Sequence, residues 1–477
     1  MKPGNAVAVE GRWSPARPDR RRISLRARHS VMPPDKAIKP AMYTLLSMRL
    51  HHLIRLALPC VLFVAVEAHG QVAATLGALT LPSAESLLTQ KNRDIALARR
   101  AQEQAGADVI TAGQRPNPQF SWTTQNINPN RGIGNGDPRA KTVDSIARID
   151  QLIERGNKAE LRTETARRLE GAAREDVRDT IRQQQLALRF AYYDLLAAQE
   201  KAAAAGETAQ LFGKTAEAAQ LRLKAGDLAA TDVSRIRVDV LRAQNDARAA
   251  EADLARARVN LAYLIGAEAN AQEIRAVTPW PRQDNAVGQG VTTDERLEAR
   301  PDVRAARARI AAADKARELA QSLRTRDVSV GLQYEHWPNQ ADFNNQGTGN
   351  SFGVAFSIPL FLRHNNEGEI ARAQADWYAA RDALDRTFAQ ARSDVSRATG
   401  DLAAARERVA RFEGELVKEA ERTAAAAEFA FKNGAIGVMD LLDARRTLKA
   451  IQIDAANARA DHAKALAAFV LSTGVME

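Results

Sequence analysis

The sequence predicts a mainly α-helical chain with a membrane β-barrel component, built as two duplicated halves that each hold long antiparallel coiled-coil helices and one pair of strands. Three observations predict this fold class: an internal repeat at a constant offset, two long proline-free tracts with a heptad seam, and four short segments of period two. The repeat comes first. "KAGDLAATDVSRIR" from Lys224 and "KNGAIGVMDLLDAR" from Lys432 align without a gap, placing Lys224, Gly226, Asp232 and Arg237 on Lys432, Gly434, Asp440 and Arg445. The same offset of 208 sets Asp246, Asp253 and Gly266 on Asp454, Asp461 and Gly474, and Asp94 on Asp302. A period this long exceeds that of a solenoid and suits a half-domain that closes on its own copy.

The 477 residues carry 68 Lys and Arg against 58 Asp and Glu, a formal +10. Twelve of those cations and four of those anions precede His69, so the remainder is nearly balanced and gives no reason to expect a nucleic-acid partner. Residues 1–41 read as a basic extension, disordered or untranslated, and 42–68 as a signal peptide with the apolar run "LALPCVLFVAV" before "VEAHGQ". The mature chain is then expected to start near His69. That run is too short for a spanning helix, which needs roughly 20 apolar residues. The single cysteine, Cys60, lies inside the run, which leaves no disulfide or thiolate site in the mature chain and keeps acylation at Cys60 open.

The first half is assigned to 69–267, with a strand pair at about 118–152 and a helical hairpin at about 156–266. Residues 268–292 form a linking, equatorial segment, and 293–477 the second half, with strands at about 326–360 and a hairpin at about 366–474. No proline lies between Pro138 and Pro279, or after Pro359. In the first tract Val233, Ile236, Val240, Ala243, Ala247, Ala250, Leu254, Ala257, Leu261 and Leu264 alternate spacings of three and four; Leu441, Ala444, Leu448, Ile451, Ala455, Ala458, His462, Ala465, Phe469 and Ser472 repeat them. Each hairpin turns at the repeated phrase, where Gly226 or Gly434 ends one helix and Asp232 or Asp440 stands near the start of the next.

The strands alternate. "QFSWTTQN" points Phe120 and Trp122 one way, "VSVGLQYEHW" groups Val330 with Leu332, and "SFGVAFSIPL" groups Val354 with Phe356; "TVDSIARID" is a weaker fourth. The apolar sets are assigned to lipid. Long Asn/Gly/Pro segments join each pair, as on the outer side of membrane barrels. Four strands cannot close a barrel, and an open sheet edge cannot sit in lipid, so two, three or four chains must close it together. A soluble periplasmic coiled-coil scaffold is the alternative from another class.

With the duplicated halves, inserted strand pairs and the turn phrases "RLKAGDLAATD" and "FKNGAIGVMDLLDA", the chain resembles the TolC-like outer membrane efflux family from about Leu79 to its end. "QLIERGNKAELR" from Gln151 resembles a segment of the CzcC-type channels of heavy-metal efflux systems, departing from it at Asn157 and Ala159. The resemblance implies a homotrimeric α/β-barrel channel in the outer membrane: a passive duct meeting a periplasmic adaptor and an inner-membrane pump of the resistance-nodulation-division type, exporting heavy-metal cations. Drug efflux or type I secretion are the alternatives within the family. It further implies a periplasmic gate at Asp440 and Asp443 with Asp232 at the neighbouring turn, and adaptor contacts at the helical tips, Arg222, Leu223, Gly226, Phe431 and Gly434. Phe431 and Ile436 replace a tyrosine and an arginine that brace the family's gate.

No catalytic constellation is legible, so an enzyme is not expected, and neither is a cofactor. "GIGNG" from Gly132 lies among Pro and Asn with no helix after it. His69, His336, His364 and His462 are dispersed without ligand spacing, so no metal site is expected; His462 sits on the helix seam as a packed or lumen-facing residue.

Overall fold

The computed structural model describes residues 76–127, 129–130, 143–282, 294–337 and 349–473. The basic extension, the signal peptide with Cys60, the start near His69, the Gly132 segment, most of both strand-joining segments, residues 283–293 and Gly474 lie outside the described residues. What is described belongs to one compact unit within His69–Glu477.

Helices α1 (Leu81–Lys91) and α2 (Arg93–Gly113) lead to strands β1 (Gln119–Gln125) and β2 (Asp144–Ile153). Helix α3 (Lys158–Ala225) then runs unbroken for 68 residues, about 100 Å at 1.5 Å per residue. It returns as α4 (Ala230–Ile265). A 3₁₀ turn (Glu268–Glu273) and an extended strap follow, then α5 (Asp294–Glu298), α6 (Pro301–Ser322), β3 (Val328–Trp337) and β4 (Gly349–Ser357). The second hairpin comprises α7 (Glu367–Arg411), a π-turn (Phe412–Leu416), α8 (Val417–Lys432) and α9 (Val438–Ser472). The fourth strand segment proposed from Thr142 begins two residues later and runs on to Ile153, so the apolar Leu152 and Ile153 belong to the sheet.

The repeat persists down to single hydrogen bonds. Asn92 caps α2, its Oδ1 accepting from the amides of Asp94 and Ile95, and its Nδ2 donates to the Leu264 carbonyl at 3.1 Å. At the equivalent place Arg300 precedes α6 and donates through Nη1 to the Ser472 carbonyl at 3.2 Å. Both bonds pin the C-terminal turn of a hairpin's second helix, one with an amide and the other with a buried guanidinium paired to Asp302 and Asp394. Burial disfavours the charge on both Arg300 and Asp302, but the hydrogen-bonded pairing outweighs it, so Arg300 is pushed up and Asp302 is held below the usual carboxylate range.

Both seams face inward. The four strands form one antiparallel sheet in the order β1-β2-β3-β4, so the two halves join through the β2·β3 pairing, and β1 and β4 are edges. The main core lies at the equator, where Leu188, Tyr192, Leu261, Ile265 and Ile274 are fully buried with Leu79 and Leu88. There the Tyr192 hydroxyl donates to the Leu79 carbonyl at 2.8 Å and accepts from the amides of Val277 and Thr278 at 3.2 and 3.0 Å. Gln199 holds Ala276 through both its amide atoms. One helix therefore anchors the strap that joins the halves.

The π-turn has a register cause. Ahead of it the buried seam of α7 runs Ala391, Val395, Ala398, Leu402, Ala405 and Val409; beyond it come Ala420 and Ala424, one residue later than alternating fours and threes would place them. A wide turn absorbs one surplus residue and returns the seam to the core. Helix α3 keeps its spacing of seven through Ala198, Ala205, Phe212 and Ala219 and needs no such turn.

Candidate functional site

The two hairpin tips are built alike. The Asp227 amide donates to the Arg222 carbonyl at 2.9 Å and the Gly226 amide to the Leu223 carbonyl at 3.0 Å; the Ala435 amide donates to the Ala430 carbonyl at 2.8 Å and the Gly434 amide to the Phe431 carbonyl at 3.0 Å. These are two copies of the Schellman motif. Gly226 and Gly434 take φ of +85° and +71°. A Cβ on either would meet nothing within 4 Å, so backbone conformation and not space requires glycine.

The tips also touch. The Arg222 guanidinium lies over the Phe431 ring, 5.4 Å from its centroid, and Leu442 of α9 is buried in the first hairpin's cluster with Phe212, Ile236 and Val240. Arg446 reaches the buried Asp239 at 2.8 Å, and Lys449 reaches Asp246 at 2.9 Å. Sequence reasoning missed these ion pairs because their partners stand about 200 residues apart with no local signature. Leu223 remains exposed.

The three carboxylates assigned to the mouth differ. Asp440 is the third residue of α9, and its Oδ2 accepts from the Gly437 amide at 3.2 Å while the side chain stays at the surface. Asp443, one turn on, is 75% exposed, and its nearest cation is Arg446 at 3.5 Å. Asp232 is the third residue of α4 and makes no capping bond; the N-cap is Ala229, which has no side-chain acceptor. The helix starts as soon as the turn ends, so the cap position falls three residues before each aspartate. Behind the second tip Glu428 is held below its usual range by Lys432 first and then by Arg445.

The sheet separates its faces as the alternation predicts. Cross-strand registers line up Phe120, Ile149, Leu332 and Val354 in one row and Trp122, Ala147, Tyr334 and Phe352 in the next. All four residues of the first row are exposed, and Phe352 is 83% exposed. Val330 pairs with Phe356 in a third row that Gln151 interrupts, and is only half-buried. The opposite face carries Arg148, whose guanidinium makes a two-pronged pair with Asp150 at 2.7 Å. That pair lies over Gly331, where a Cβ would come within 2.4 Å of Asp150 Oδ1.

The segment from Gln151 is a joint. Glu154 pairs with Arg162, and buried Lys158 donates to the Thr325 carbonyl and to Asp327, tying β2–α3 to the second half. Asn157 has φ of +56°, a conformation that asparagine tolerates better than most residues and that a glycine there would adopt freely. None of these groups faces outward as a metal ligand set.

His462 is 2% exposed, packed between α9 and α7, and its Nε2 has no hydrogen-bond partner. Burial and then Arg406 push its pKa down, and Glu413 opposes them. Beside it Arg459 bridges Glu200 at 2.8 Å and Glu413 at 2.9 Å, while the Trp280 indole donates to Glu200. Among the described residues no three His, Cys, Asp or Glu come together to hold a metal ion, and no helix is long and apolar enough to cross a membrane.

A duplicated four-strand sheet with a wet and an apolar face, continued by hairpins of about 100 Å, defines a barrel-and-tunnel class of channel protein. The profile of the outer membrane efflux protein family matches residues 85–267 and 292–475, and the chain belongs to that family. Its fold is that of a membrane protein from Pseudomonas aeruginosa (19% identity, 83% of this chain and 93% of that one, TM-score 0.68). It is equally similar to the outer membrane protein VceC of Vibrio cholerae (18%, 83% and 96%, 0.65) and to the Campylobacter jejuni CmeC outer membrane channel (14%, 83% and 85%, 0.70). No curated protein matches in sequence. The protein is an outer membrane efflux channel with a helical tube in the periplasm.

Proposed function

We propose that three copies of this chain form the passive export duct of a tripartite efflux system, joined at the hairpin tips to a periplasmic adaptor and through it to an inner-membrane pump, and that the cargo is heavy-metal cations. The observation that carries the duct is the exposed apolar face on a sheet whose two edge strands, β1 and β4, lack partners among the described residues. Such edges in lipid leave backbone groups unmet until neighbouring copies pair with them. Phe120, Trp122, Val330, Leu332, Val354 and Phe356 then face lipid, and Arg148 and Asp150 face the lumen.

What supports a cationic cargo is the mouth: Asp440 and Asp443 share one helix face three residues apart, and three copies place six such carboxylates in a ring whose field attracts cations. Arg222, Leu223, Gly226, Phe431 and Gly434 form the adaptor-facing tips. Single-channel recording tests the assignment. Asp440→Asn with Asp443→Asn is expected to leave the trimer intact and weaken block by multivalent cations from the periplasmic side, with Asp232→Asn having a smaller effect. Unchanged block removes the gate. Replacing Val354 or Phe356 by Arg is expected to impair assembly at about 2–4 kcal/mol per lipid-facing site, read as loss of the crosslinked trimer, whereas Ser351→Arg is tolerated.

A further inference from the structure

The apolar face of the sheet is too short for a membrane. On β4 the outward residues Phe352, Val354 and Phe356 span about 14 Å along the strand at ~3.4 Å per residue, and about 11 Å of membrane depth at a tilt of ~40°. An outer-membrane barrel presents an apolar band of about 25 Å. Above Phe352 the row turns polar at His336 and Asn350. The missing depth must come from below.

Below β4 the chain continues outward-facing and apolar after strand pairing has ended. Ile358, Leu360 and Leu362 keep the parity of Phe352, Val354 and Phe356 and are exposed, Leu362 to 84%. From Phe352 to Leu362 the chain spans less than the roughly 33 Å, or about 25 Å of depth at the same tilt, that full extension would give, because the Leu362 amide donates to the Leu360 carbonyl at 3.0 Å in a tight turn. The next residue is Arg363.

That arginine is not alone. Each helix–strand connection at this end of the sheet supplies at least one: Arg115 between α2 and β1, Arg155 between β2 and α3, Arg324 and Arg326 between α6 and β3, and Arg363 between β4 and α7, all exposed, with Arg326 lying over the Phe361 ring. None has a carboxylate partner among the described residues. Of the nearby carboxylates, Glu154 is taken by Arg162 and Asp327 by Lys158, while Glu369 lies 3.3 Å from His364 and Glu367 lines the same pocket as Arg363.

We infer that Ile358–Leu362, its backbone groups met by the edge strand of a neighbouring copy, is a membrane-embedded extension of the barrel wall and that Arg115, Arg155, Arg324 and Arg363 form a collar that binds the headgroup phosphates of anionic phospholipid in the inner, periplasm-facing leaflet. This rests on the membrane seating proposed above. Apolar surface immediately followed by guanidinium groups matches the acyl-to-phosphate order of a lipid, and guanidinium recognises phosphate through paired hydrogen bonds. The collar fixes how deep the barrel sits. It thereby sets the length of tube left in the periplasm.

Two measurements test this. Nitroxide labels are placed at Val354→Cys or Leu362→Cys, in a Cys60→Ser chain reconstituted as the full oligomer in phosphatidylcholine/phosphatidylglycerol vesicles. Their accessibility to oxygen and to a water-soluble nickel chelate is then compared. Both sites are expected in hydrocarbon. Label at Val354 in lipid with label at Leu362 in water overturns the extension and leaves the duct standing, whereas label at Val354 in water overturns the duct itself. Separately, nanodiscs with equal amounts of the two lipids are used to read the phosphatidylglycerol that copurifies with the trimer. Enrichment is expected for the unmodified chain and its loss to the bulk ratio for the trimer carrying Arg115→Gln, Arg155→Gln, Arg324→Gln and Arg363→Gln. No enrichment in the former, or equal enrichment in both, overturns the collar.

Discussion

The first hairpin holds the strap at the equator, whereas the second carries two exposed carboxylates at its tip. Tyr192 of α3 gathers Leu79, Val277 and Thr278 around one hydroxyl, whereas the residue 208 positions on is Gly400, with open space around it. At the tips the asymmetry reverses. Asp440 closes a hydrogen bond that Asp232 does not, and Asp443 stands where the first copy has Arg235. Duplication preserved the turns and the pins that hold them, and let the two copies diverge at the equator and at the tips.

The largest effect expected from breaking this contrast is at Tyr192. Tyr192→Phe leaves the Thr278 amide without its acceptor, the Val277 amide and the Leu79 carbonyl keeping their own bond at 3.1 Å, and is expected to cost about 1–3 kcal/mol, whereas Gly400→Ala is expected to stabilise α7 by about 0.5–1 kcal/mol. The heat-dissociation temperature of the oligomer reads both. Equal shifts would show that the equator does not depend on the first copy. Next, Gly226→Ala and Gly434→Ala should each cost about 1 kcal/mol for forcing a Cβ into positive φ. A large difference between them would break the equivalence of the turns. Smaller again, Asp440→Ala should cost about 0.5–1 kcal/mol through loss of the bond to the Gly437 amide, and Asp232→Ala close to nothing.

The least in magnitude and the sharpest in direction is pH. His462 replaces Leu254 of the first seam. Its folded pKa is depressed, so the unfolded chain binds the proton more readily. Its neutral-state packing is fully present above the ordinary histidine pKa of about 6.5 and is lost progressively as pH falls below that. His462→Leu should make the oligomer's dissociation temperature less acid-sensitive between neutral pH and pH 5. An unchanged profile would assign the acid response elsewhere.

What the sequence disclosed was local or periodic. A glycine followed six residues later by aspartate marked both tips because an αL turn is written in neighbouring residues, and Phe352, Val354 and Phe356 announced a face because a strand has period two. The Arg446–Asp239 and Lys449–Asp246 pairs were hidden because charge on a helix surface looks alike whether it meets water or another helix. The Arg222–Phe431 contact was hidden for the same reason, although each residue had been placed at its tip separately. The π-turn was written in the spacing between Val409 and Ala420, but a single eleven-residue gap in an alanine-rich tract gains meaning only once the buried side is known.

That turn divides the second hairpin's outer helix into two arms of unequal length. From Phe412–Leu416 the lower arm, α8, is 16 residues, about 24 Å at 1.5 Å per residue. A wide turn is where a helix bends most easily, since its hydrogen bonds are already displaced from the i→i−4 ladder. Rotation by about 10° there would swing the tip by roughly 4 Å. In mechanical terms the second copy owns a lever with a fulcrum, and the first, unbroken from Lys158 to Ala225, is a strut.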